Sequence, residues 1–85
     1  MAKYKVLIKP SAAKEFKDIP IENRQRIVER IRKLGDQPRP TDCAKLVGKQ
    51  GYRIRDGDYR IIYLVNDKDR IVQIRKIGHR REAYR

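Results

Sequence analysis

The sequence predicts an α+β domain of order β-α-α-β-β-β, in which a helical hairpin covers one face of a mainly antiparallel four-stranded sheet. Three observations predict it. Apolar residues alternate with charged ones at the start and through the second half, two apolar stripes at helical spacing lie between residues 11 and 34, and an Asp-Gly pair at 56–57 separates two strand-like runs. With 85 residues the chain is expected to form a single domain, 1–85, near the lower size at which one core is comfortable.

Tyr4, Val6 and Ile8 alternate with Lys3, Lys5 and Lys9, which predicts a first strand over 3–9. Pro10-Ser11 ends it, with Ser11 as the cap of a helix over 11–18 on which Ala12, Phe16 and Ile19 form one stripe. Pro20 opens a second helix, over 20–34, at its first turn. There Ile27, Ile31 and Leu34 repeat the stripe while basic residues fill many of the other positions, and Gly35 is a natural stop. The loop-like stretch "GDQPRPTD" (35–42) follows. Residues 43–48, 51–55, 59–65 and 70–77 are then all strand-like, with a type I′ hairpin signal at Asp56-Gly57 and another turn at 66–69. Val6, Ile8, Ile54, Ile61 and Tyr63 are expected beneath the helices. The tail "GHRREAYR" has too few apolar residues for a core element and is expected to cross the sheet edge.

Lys and Arg number 23 against 11 acids, a formal charge of +12. Self-repulsion on that scale destabilises so small a chain, and its usual explanation is a polyanionic partner: nucleic acid, an acidic protein or a membrane surface. The one cysteine, Cys43, excludes an internal disulfide and offers no metal cluster. It fits a reducing cytoplasm as a small, partly buried apolar residue. No apolar run approaches the roughly 18 residues of a membrane span, and "MAKYKVLIKP" is too short and too interrupted for a signal peptide.

The stretch "YRIRDGDYRIIYLV" (52–65) puts Tyr52, Ile54, Tyr59, Ile61 and Tyr63 on one face and arginines on the other. With Asp56 and Gly57 as a two-residue turn, Arg55 pairs with Asp58 and Arg53 lies opposite Arg60. The same register carried through the next turn places Arg75 opposite Arg60, and a one-residue slip would reverse the outer strands. Asp58 is the only acid among these positions, whereas a face charged for solubility mixes both signs. The planar guanidinium fork suits phosphate, so phosphate binding is the stronger reading of this face.

His79, Arg80, Arg81 and Tyr84 follow the last strand. A lone histidine or tyrosine in a basic tail is ordinarily a solvated or packing residue. Beside the arginine face they make a fuller set: cations, an imidazole, and an aromatic able to stack on a base. RNA carries its own nucleophile, the 2′-hydroxyl. Its cleavage therefore needs orientation and stabilisation of the phosphorane charge more than it needs a metal. No convincing acidic base lies beside the arginines, so the residues alone indicate an RNA binder or a slow or assisted ribonuclease.

"KLVGKQGYRIRDGDYRIIYLV" followed by "IRKIGHRREAYR" resembles the RelE branch of the RelE/ParE toxin superfamily over nearly the whole chain. The points of likeness are the element order, the basic strand after Tyr52, "GDYR" after the hairpin, and the "GHR" tail ending in Tyr. The resemblance implies a toxin of a type II toxin–antitoxin system, an endoribonuclease that needs no metal or cofactor and cuts messenger RNA in the ribosomal A site. Its partners would be the ribosome, the message and a cognate antitoxin, with no membrane, in the cytoplasm.

By position, Arg53 and Arg55 stand where the family has strand lysines and would stabilise the transition-state phosphate. Arg60 would bind the scissile phosphate, and Arg80 would stabilise charge or protonate the leaving group. Tyr84 would position the base and assist removal of the 2′-hydroxyl proton. Arg75 and Arg81 join the RNA-binding set, and His79, where lysine is common in the family, is a candidate proton donor. Arginine in place of both strand lysines cannot lose a proton at working pH, and the later helix of longer relatives is not expected after Tyr84. A ParE-like inhibitor of DNA gyrase, or a nucleic-acid-binding module without catalysis, is the alternative.

Overall fold

The structure, a computed structural model, describes residues 3–79. Alternation builds β1 (Lys5–Ile8), and a proline starts the next element directly after it. Ser11 is not the cap: Lys9 is the N-cap of α1 (Pro10–Lys17), and Pro10 enters the first turn, where its fixed φ fits and its missing N–H is no loss. Pro20 is the N-cap residue of α2 (Ile21–Asp36). Gly35 does not stop α2. It is buried within the last turn, and its carbonyl accepts the N–H groups of Lys3 and Tyr4 at 3.0 and 2.8 Å, tying the helix end to the start of the chain.

The remaining elements are β2 (Ala44–Lys45), β3 (Tyr52–Asp56), β4 (Tyr59–Asn66) and β5 (Ile71–His79). They complete a five-stranded sheet of order β1-β5-β4-β3-β2, one strand more than expected, because Ala44–Lys45 pairs antiparallel with β3. β1 runs parallel to β5, from Lys5 opposite Ile71 to Ile8 opposite Ile74, and the other pairings are antiparallel. Both helices lie on one face. Ile27, Ile31 and Leu34 of α2, with Ala12 and Ile19, close over Ile54, Ile61, Tyr63, Val72, Ile74 and Ile77. Val6 packs against this core, whereas Ile8 shares its face but stays 46% exposed at the sheet edge.

The β3–β4 register is displaced by two residues from the expected one. Asp56 pairs with Tyr59, Arg55 with Arg60, and Arg53 with Ile62. Gly57 takes φ +61° and Asp58 does not adopt positive φ, so the turn residues are Gly57-Asp58, with glycine first as a type II′ turn prefers. Asp58 therefore leaves the ladder. A shift of two preserves parity, and Arg53, Arg55 and Arg60 still share the face away from the helices. In β5, Lys76 pairs with Ile62 and Ile74 with Tyr63, leaving Arg75 in a β-bulge. Gly78, not Arg75, lies opposite Arg60.

A polar clamp holds the 37–42 loop. The Tyr63 hydroxyl donates to the Pro38 carbonyl at 2.7 Å, and Arg39 forks Asp67 at 3.1 and 2.8 Å while its Nε donates to the Tyr52 hydroxyl at 2.9 Å. Tyr4 donates its hydroxyl to the same carboxylate at 2.7 Å. Burial pushes the Tyr63 phenol well above its ordinary pKa. Hydrogen bonds from Arg39 and then Tyr4 hold the Asp67 carboxyl at about 2.

Two outcomes are expected. Asp67 is held below its ordinary 3.8, so its contribution to stability is complete above that value and disappears as pH falls from 3.8 towards about 2. Asp67→Asn should remove that portion of the acid dependence, read from thermal midpoints across the interval; equally steep acid loss in both proteins would contradict it. Gly51 sits at φ +117°, and a Cβ there would lie 2.8 Å from the Tyr63 carbonyl oxygen. Gly51→Ala should cost on the order of 1–3 kcal/mol, seen as a lower urea midpoint at unchanged slope.

Candidate functional site

On the face that the helices leave open, alternation along β3 and β4 delivers Arg53, Arg55 and Arg60 side by side. Arg55 faces Arg60 directly across the ladder and is exposed, an arrangement of like charges that weakens the pairing by itself. Arg60 is only 5% exposed, so its guanidinium is held within the face rather than waving in solvent. The Nε of Arg53 is shielded from solvent and has no hydrogen-bond partner among the described residues. A buried donor left in that state is unfavourable, and an incoming anion or water relieves it.

Arg53, Arg60 and Arg75 line one cavity of about 870 Å³. The β4–β5 pairing is offset by two residues from the expected register and the bulge adds a third, so Arg75 is not opposite Arg60; it still lines this cavity, whereas Arg55 is outside the lining. Sequence reasoning missed four further cations there: Lys9 from the start of α1, Lys45 of β2, Lys49 of the following loop and Lys76 of β5. Lys76 was within reach of the strand pattern, since it stands two residues before Gly78 and so shares its face. Lys9, Lys45 and Lys49 come from other segments, and only the folded sheet edge assembles them.

Leu46, Ile62 and Leu64 supply an apolar floor, and among the described lining residues there is no acid. Seven cationic side chains around an apolar floor can bind a phosphate chain while its sugars and bases pack on carbon. Beyond Leu64 the surface continues into a second cavity of about 650 Å³ over Leu7, Ile71 and Gln73, bounded by Arg39 and Asp67.

His79 is on the other side. It pairs with Tyr59, whose alternation belongs to the helix face, and meets that ring edge-to-face at 5.7 Å between centroids. Its neighbours there include Glu15 and Asp18. The structure therefore separates His79 from the arginine cavity. Arg80, Arg81 and Tyr84 lie outside the described residues. No described helix is long and apolar enough to cross a membrane.

Comparison with known proteins agrees with this architecture. A profile of the family described as "ParE toxin of type II toxin-antitoxin system, parDE" matches residues 6–84. The chain is 38% identical over 87 residues to the candidate toxin RelE1 of Methanocaldococcus jannaschii, covering 98% of this chain and 97% of that protein. It superposes with a TM-score of 0.81 on a chain of the archaeal RelE–RelB complex from Pyrococcus horikoshii OT3, at 36% identity over 92% of this chain and 96% of the other. The free R81A/R83A variant of the Escherichia coli toxin RelE superposes at a TM-score of 0.79 with 25% identity, covering 99% and 90%. With a family match across most of its length and RelE proteins as relatives in both sequence and fold, the chain belongs to the RelE/ParE superfamily of type II toxin–antitoxin toxins, on the RelE branch.

Proposed function

We propose that this chain is the toxin of a type II toxin–antitoxin system, and that it acts as a metal-independent endoribonuclease on messenger RNA in the ribosomal A site. The observation that carries the reading is a cavity whose described lining sets seven cations over an apolar floor and holds no acid. A structural surface of +12 overall charge would intersperse carboxylates, and this one keeps them away.

In the proposed reaction the 2′-hydroxyl attacks the adjacent phosphorus and the 5′-oxygen leaves in line. Arg60, held by burial, binds the scissile phosphate. Arg53 and Arg55 stabilise the charge that accumulates on the phosphorane, a task for fixed cations that needs no proton transfer. Arg80 stabilises the charge on the leaving 5′-oxygen, which takes its proton from solvent, and Tyr84 stacks on a base and assists removal of the hydroxyl proton. Arg75 and Arg81 hold the flanking backbone. No strong general base stands among the described cavity residues, so ordering of the message by the decoding centre supplies much of the rate. His79, on the helix side of the sheet, is left out of this scheme.

The partner in this proposal is an antitoxin, as in the RelE–RelB complexes of Pyrococcus horikoshii and Methanococcus jannaschii. Leu7, 40% exposed, with Ile62, Leu64 and Ile71 offers an apolar strip bordered by cations, which fits an amphipathic helix carrying acidic residues. One observation favours a second reading: the matching family profile is the ParE one, which would make the target DNA gyrase.

Primer extension on a defined message, with and without ribosomes, tests the activity. Arg60→Ala and Arg80→Ala should each reduce cleavage at least tenfold, about 1.4 kcal/mol, with the fold intact, Tyr84→Ala should also impair it, and His79→Ala should change it little. Full activity of Arg60→Ala would remove the site, equal cutting of naked and ribosome-bound message would remove the mechanism, and stabilised gyrase–DNA breaks without RNA cleavage would select the ParE-like reading. Co-expression of the neighbouring reading frame should rescue growth through a complex that co-purifies; a neighbour that neither binds nor rescues would count against the antitoxin assignment.

A further inference from the structure

β1 accompanies β5 only as far as Ile8 opposite Ile74, after which the Lys9 N–H donates to the Ile74 carbonyl at 2.9 Å and the chain turns into α1. From there to His79, β5 has no strand on that side among the described residues. An open edge of this kind leaves backbone N–H groups in need of an acceptor. α1 runs along the edge and supplies one. Glu15 Oε1 accepts the Ile77 N–H at 3.1 Å, and Oε2 of the same carboxylate receives the Lys76 ammonium at 3.0 Å. The side chains of Glu15 and Lys76 are 33% and 37% exposed, so the pair is sheltered by the fold on one side and open on the other.

The place of this contact matters more than its strength. Lys76 sits next to the bulged Arg75, pairs with Ile62, and lines the cationic cavity with Arg53, Arg60 and Arg75. An ammonium group has three donors, and one bond to Glu15 leaves two for an anion in the cavity. Untethered, the four-carbon stem would distribute the charge over many rotamers. One carboxylate thus holds both the backbone of the bulged segment and the charge it carries.

We infer that Lys76 is a further anion ligand of the cavity and that Glu15 is its positioning residue, holding the ammonium where an RNA phosphate meets it. The inference rests on the proposed reading of the cavity as an RNA-phosphate site.

The test is binding of a short single-stranded 2′-O-methyl RNA, which cannot be cleaved by 2′-hydroxyl attack, followed by fluorescence anisotropy over a range of salt. A chain of formal charge +12 binds such a polyanion at low salt whatever its cellular target, so the measurement does not depend on catalysis. Lys76→Met should weaken binding several-fold and flatten the salt dependence by about 0.7 in the log–log slope, the loss of one single-strand phosphate contact.

Glu15→Gln is the decisive variant. Removing a carboxylate strengthens polyanion binding on charge grounds alone, whereas positioning predicts weaker binding, with no further loss in the Glu15→Gln/Lys76→Met double variant. Its carboxamide oxygen still accepts from the Ile77 N–H, so it stays informative even if Glu15→Ala fails to fold. Stronger or unchanged binding by Glu15→Gln would overturn the positioning role, and an unchanged slope in Lys76→Met would overturn the ligand. If instead both variants behave as expected while the unaltered protein cuts no message on ribosomes, the ribonuclease reading fails and the anion site stands.

Discussion

A strand can send its side chains to two faces only, and β4 shows how much of this molecule follows from that constraint. Ile61 and Tyr63 are sealed under the helices, while Arg60, Ile62 and Leu64 look the other way. The core and the cationic cavity are thus built from the same eight residues of backbone, Tyr59–Asn66, and share its rigidity. A site on such a ladder is held more tightly than one on loops, because moving one arginine requires breaking the pairing that buries its isoleucine neighbours. Arg60, the most withdrawn from solvent among the described arginines, is flanked in sequence by Tyr59 and Ile61, which are anchored against the helix side.

The distribution of acids completes the separation. Asp56 pairs with Arg26 at 2.8 Å on the helix side, Asp42 with Arg30, and Asp67 with Arg39, each fastening a loop or turn to the body of the domain. Those carboxylates offset the overall positive charge where the fold needs reinforcement and leave the lining of the cavity cationic. Surface pairs of this kind contribute little individually. Their effect here is geometric, since the Arg39–Asp67 fork, the Tyr52 hydroxyl and the Tyr63–Pro38 hydrogen bond together pin the loop that leads into β2 and so to Lys45.

In the proposed reading the same surface serves two kinds of partner because its two components differ. Phosphate groups are attracted by charge from any direction, and the guanidinium forks then select geometry. The apolar strip of Leu7, Ile62, Leu64 and Ile71 is indifferent to charge and favours a folded segment with carbon to bury. An inhibitor that combines acids with an apolar stripe would satisfy both components at once, whereas RNA would use chiefly the first.

Element types and the sharing of a face by Arg53, Arg55 and Arg60 were determined by the sequence alone, because alternation of period two and stripes of period 3.6 are local properties. Parity is also why the face assignment survived a wrong hairpin register: displacement by two residues exchanges partners without exchanging sides. What the sequence could not decide depended on segments distant in the chain. An extra residue opposite Ile62 and Tyr63 created the bulge at Arg75, and the strand-like stretch 43–48 paired only at Ala44–Lys45, as a fifth strand on the edge that β3 offered. Lys9, Lys45 and Lys49 joined Lys76 in one cavity for the same reason. Their convergence is a product of strand order and edge geometry, which no local pattern encodes, and the tertiary structure alone decided it.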